Sequence, residues 1–85
     1  MIYDKEAIRL ELSKAISAGD QDRFLELLMV AAKEMGITNL AKMSGLSRTA
    51  IYHTLRPGGD PRIETLFRIM ESLGFAFQIP AIDKS

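Results

Sequence analysis

The chain has no cysteine and no tryptophan, one histidine, and no surplus of charge of either sign: 11 Lys and Arg balance 11 Asp and Glu over 85 residues. Each shortage excludes something. Without cysteine there are no disulfides and no thiolate zinc sites, which suits a reducing compartment. One histidine, with no paired carboxylates in an apolar setting, leaves no nucleophile-and-base set, so no enzyme is expected, and no metal or cofactor. No apolar run approaches the roughly 20 residues of a membrane span, and the start lacks a signal-peptide pattern. The expectation is a soluble, cytoplasmic protein with one domain, residues 1–85.

Proline and glycine are sparse too, three and six, and they act as punctuation. Ile8, Leu12, Ala15 and Ile16 recur at helical spacing over residues 4–18, and Gly19 ends that helix. Asp20 is placed to cap a second, with Asp22 in its favourable first turn. There Phe24, Leu27, Leu28, Ala31 and Met35 form an apolar stripe, widened by Leu25, Met29 and Ala32, so burial on two sides is expected. Gly36 closes it. Thr38 is expected to cap a short third helix, 39–44. Gly45 breaks it, and Ser47 caps a fourth running to about residue 55 or 56.

"RPGGDP" (residues 56–61) is a loop, with Asp60 and Pro61 expected to open the fifth helix. On that helix Ile63, Leu66, Phe67, Ile69, Met70 and Leu73 are expected to face inward, and Gly74 ends it. Residues 75–79, "FAFQI", alternate large apolar with small or polar residues and stop at Pro80, reading as a strand. A lone strand cannot satisfy its own backbone. Pairing with the same strand of a second copy, through Phe75, Phe77 and Ile79, is the favoured expectation. The alternative is that this segment finishes its own chain's core, or pairs with residues 1–3.

The charges are unevenly placed. Residues 1–36 hold seven acids and five bases, residues 37–85 four acids and six bases, a shift from −2 to +2. That shift leads to "LAKMSGLSRTAIYHTL", residues 40–55. Two short helices about a glycine have helix-turn-helix spacing, here over residues 38–56. Ala41 is small enough for the helices to cross closely, and Leu40, Leu46 and Ile51 tie the pair to a core. At about 100° per residue, Ala50, Ile51, Thr54 and Leu55 share one side of the fourth helix. Arg48, Thr49, Tyr52, His53 and Arg56 share the other, without an acid.

Such a face suits an anion, and double-stranded DNA is the expected one. Arg48 is placed to pair with guanine O6 and N7. Thr49 and Tyr52 can meet base edges, thymine methyls or phosphate, and His53 lies at the margin. Ser47 and Thr38, as caps, can offer hydroxyls and backbone N–H groups to phosphates, joined by Lys42 and Arg56.

The stretch from residue 7 to 79 is similar to the addiction-module antidote proteins, HigA-like antitoxins with a phage-repressor-type (Xre/Cro) helix-turn-helix. The matching marks are "GD" before the long second helix, "GLSR" followed by "IY", "GG" with a nearby proline, and "LGF" before the final strand. The resemblance implies an all-α, five-helix, phage-repressor-like domain with one short C-terminal β-strand. It also implies a homodimer that represses its own operon through Ser47, Arg48, Thr49 and Tyr52, and neutralises a RelE/HigB-like toxin. A plain Xre-family regulator without a toxin is the alternative, and a toxin-sequestering module that binds DNA poorly is a third reading.

Overall fold

The structure, a computed structural model, describes residues 4–76. Five helices follow one another: α1 (Lys5–Ala18), α2 (Gln21–Met35), α3 (Ile37–Ser44), α4 (Arg48–Leu55) and α5 (Ile63–Leu73). Their starts are set by local chemistry. Asp4 accepts the Glu6 and Ala7 N–H groups at 3.0 and 3.3 Å, and Asp20 accepts that of Arg23 at 3.1 Å. Each satisfies donors that a helix start otherwise leaves open.

α2 is the hub, packing against all four other helices, whereas α1 packs against α2 alone among the described helices. The broad apolar face expected of α2 explains this: Phe24, Leu25, Leu27, Leu28, Ala31 and Ala32 are all buried. Leu40, Ile51, Leu55 and Ile69 meet them in one core, with Leu12 and Ala15 reaching in from α1. At about 25 cal/mol per Å² of apolar surface, this cluster supplies most of the drive to fold.

Several expectations are corrected. Thr38 caps nothing: α3 begins at Ile37, with Gly36 in the cap position and no side-chain cap bond. Gly36 adopts φ +98 and its carbonyl already accepts the Leu40 N–H at 2.9 Å, so Thr38 lies inside the first turn. Asp60 and Pro61 do not open α5 either. Its cap is Arg62 and its first turn closes from Leu66 N–H to the Arg62 carbonyl at 3.0 Å. Residues 59–62 are non-helical, a span used to reach α5 from a loop that α2 holds in place.

Ile63 and Phe67 do not face inward; they are 62% and 49% exposed, on one shoulder of α5, while Leu66, Ile69, Met70 and Leu73 fill the core. Ile16 is likewise half exposed, because α1 packs on α2 alone among the described helices. No strand occurs among the described residues. Phe75 is buried in its own chain's core, its N–H donating to the Met70 carbonyl at 2.9 Å and the Lys5 ammonium 5.5 Å above its ring. Phe77 and Ile79, the rest of the expected pairing strand, lie outside the described residues.

Candidate nucleic-acid interface

The turn between α3 and α4 is built from three small residues. Gly45 takes φ +74 and donates its N–H to Ala41. Few side chains tolerate that conformation. Ser44, which sequence reading passed over, is buried; its hydroxyl donates to the Leu40 carbonyl at 2.7 Å and accepts the Leu46 N–H at 3.3 Å. Ser47 then caps α4, accepting the Ala50 N–H at 3.0 Å. The angle between the two helices is thus fixed by hydrogen bonds on both sides of the glycine, and by Leu40, Leu46 and Ile51 packing on the core.

α4 divides as its periodicity implies. Ile51, Thr54 and Leu55 are buried and Ala50 is half-buried, while Arg48, Thr49, Tyr52 and His53 stand exposed together. Arg56, at the C-terminal cap, is exposed at the end of the same face. Thr38 and Lys42, four residues apart on α3, are also exposed.

Charge pairing is sparser here than elsewhere among the described residues, where four of six bases are paired and Lys5 and Lys33 are not. The ion pairs among the described residues are Glu6–Arg9, Glu11–Lys14, Arg23–Glu26 and Glu64–Arg68, each within one helix. The Arg9 guanidinium holds the Glu6 carboxyl below the usual carboxylate range. In contrast, Lys42, Arg48, Arg56 and Arg62 have no carboxylate partner among the described residues. All four flank the Gly45 turn or the loop that follows α4.

Two long-range side-chain hydrogen bonds lie beside this face, and sequence reading missed both. Gln21 Nε2 donates to the Gly59 carbonyl at 2.8 Å, and the Asp22 carboxylate accepts the Gly58 N–H at 3.0 Å. No periodicity or spacing signals a bond between residues 36 or 38 apart. Elsewhere, a groove of about 560 Å³ runs between Lys5, Arg9, Leu12 and Ile16 of α1 and Phe24, Met70 and Phe75. No cluster of metal-ligating side chains occurs among the described residues, and none of their helices is long and apolar enough to cross a membrane.

Together these features give the described residues an all-helical arrangement with a helix-turn-helix-like pair and an exposed, acid-free face on α4. The profile of the probable addiction module antidote proteins matches residues 1–81, and the chain belongs to that family. An uncharacterized protein of Haemophilus influenzae is 27% identical over 78 residues, spanning 92% of this chain and 80% of its own length. No solved structure is a significant match. The antidote family is regulatory and non-enzymatic, and its members imply a toxin as partner.

Proposed function

We propose that this antidote protein binds operator DNA through α4 as a homodimer, represses its own operon, and neutralises a RelE/HigB-like toxin. The observation that carries the DNA reading is the set of bases without a carboxylate partner among the described residues, Lys42, Arg48, Arg56 and Arg62, around an acid-free helix face. Elsewhere most of the bases are matched by an acid one helical turn away.

In this reading residues 38–56 form the DNA-contacting unit of a single domain. Arg48, one residue past the Ser47 cap, enters the major groove and pairs with guanine O6 and N7. Thr49 and Tyr52 meet base edges, thymine methyls or phosphate, with His53 beside them. Lys42 and Arg56 hold the sugar–phosphate backbone. Ser47, whose oxygen is already accepting from Ala50, donates its hydroxyl proton to a phosphate. Thr38 does the same from the first turn of α3, where backbone N–H groups also point outward. Two-fold association through the segment after Phe75 sets two such helices about one DNA turn apart.

Co-expression tests the reading. The tagged protein is produced with the short reading frame beside its gene, and the complex is assayed on the operon's own promoter. Co-elution in fixed stoichiometry, with growth arrest when the neighbour is expressed alone, is the expected result. A protein that binds the promoter but retains no neighbour is a plain regulator. One that retains a toxin but ignores the promoter is a sequestering module, which its zero net charge would accommodate.

A further inference from the structure

The loop between α4 and α5 is held by an element that takes no part in the helix pair. Gly58, at φ +72, gives its N–H to the Asp22 carboxylate, and Gly59, buried, gives its carbonyl to the Gln21 amide. The remaining side-chain hydrogen bonds of the described residues join partners four or fewer residues apart. The two long-range bonds therefore converge on adjacent glycines. Adjacent glycines lose more conformational freedom on ordering than any other residue pair, so the fold places two specific bonds where the chain is loosest.

What lies on either side explains the need. Arg56, the C-terminal cap of α4, precedes the glycines, and Arg62, the cap residue of α5, follows them; both are exposed and neither has a carboxylate partner among the described residues. The Gly59 N–H closes a turn onto the Arg56 carbonyl at 3.2 Å, and a Cβ at Gly59 would meet that oxygen at 3.1 Å. The loop's course is thus tied to Arg56 at one end and to the first turn of α2 at its centre.

We infer that Asp22 and Gln21 are positioning residues for DNA binding: they hold Gly58 and Gly59 so that Arg56 and Arg62 flank α4 as a preset pair of phosphate-binding groups. This rests on the operator-binding reading above and extends it to Arg62 and to α2. Neither Asp22 nor Gln21 need touch DNA, and Asp22, as an acid, would be repelled by it. Their contribution is to remove in advance the loop entropy that binding would otherwise have to overcome.

Asp22 allows the charge and the hydrogen bond to be separated. Asp22→Asn keeps an oxygen for the Gly58 N–H and loses the charge; Asp22→Ala loses both. Binding of each full-length variant to the operon's own promoter duplex is measured across a salt series, with thermal unfolding as the check on folding. Both variants lose the same repulsion, so a difference between them reports the hydrogen bond. Asp22→Ala is expected to bind about three- to tenfold more weakly than Asp22→Asn, the range spanned by one net hydrogen bond. Its plot of log K against log salt is expected to be shallower by about 0.9 for each phosphate it no longer neutralises. Gln21→Ala is expected to weaken binding in the same way without changing net charge.

Equal affinity and equal slope for Asp22→Ala and Asp22→Asn, with wild-type binding intact, would overturn the positioning role and leave the operator reading standing. Absence of salt-sensitive binding by the wild type would overturn both.

Discussion

Arg48 combines three properties that no other base shares among the described residues of α3, α4 and the loop after α4. It follows the Ser47 cap, so its backbone is fixed by the Ala50 N–H bond; its side chain is exposed; and no carboxylate competes for it. Arg48→Ala is expected to cost about 1–3 kcal/mol on the operator and to relax base preference at one position. Competition binding against a scrambled duplex checks this, and equal loss on both would reassign Arg48 to phosphate. Gly45 makes a prediction about stability. A Cβ there would meet nothing within 4 Å, so the penalty of Gly45→Ala is backbone strain alone. It is expected to lower unfolding free energy by about 1–2 kcal/mol in a denaturant titration. Gly45 and Ser47 were readable from sequence because their chemistry is local. Asp22 was readable only as a helix-start acid, since its partner, Gly58, lies 36 residues away.

At the scale of elements, a single period carries much of the information. The split of α4 into Ile51, Thr54 and Leu55 against Arg48, Thr49, Tyr52 and His53 follows from about 100° per residue, and the burial pattern reproduces it. The same rule misplaces Ile63 and Phe67. Periodicity shows that α5 has a wide apolar stripe, but which shoulder of the stripe is covered depends on where the other helices sit. Ile69→Ala, in a fully buried position, is therefore expected to cost about 2–5 kcal/mol. Ile63→Ala, mostly exposed, is expected to stay within about 0.5 kcal/mol of wild type. Equal losses in denaturant titrations would contradict the placement of α5. The starts of α3 and α5 depart from the local signals for a related reason. Thr38 and Pro61 are good openers locally, yet the Gly36 corner starts one helix earlier, and the pinned Gly58–Gly59 loop starts the other later.

At the scale of the molecule, the uneven charge becomes a division of labour. The ion pairs of the described residues lie on α1, α2 and α5, exposed and within single helices, where each contributes little to stability. Glu6 illustrates the sign. Its carboxyl is lowered by Arg9, so the pair's contribution is present at neutral pH and fades as pH falls through the lowered value. The bases around α4 have no such partners among the described residues, which in the proposed reading leaves them to an external anion. Salt should therefore act differently on folding and on binding: between low and moderate salt the melting temperature is expected to hold nearly constant while DNA affinity falls.

The most direct test is that salt series on DNA affinity, measured with the operon's own promoter duplex. Each neutralised phosphate contributes about −0.9 to the slope of log K against log salt, so Lys42, Arg56 and Arg62 of each protomer, roughly six phosphates for the homodimer, predict a slope of about −5.4. That result, with Arg48→Ala losing affinity for the promoter but little for scrambled DNA, is what the account predicts. Flat binding across the series, or no difference between promoter and scrambled duplex, would contradict it.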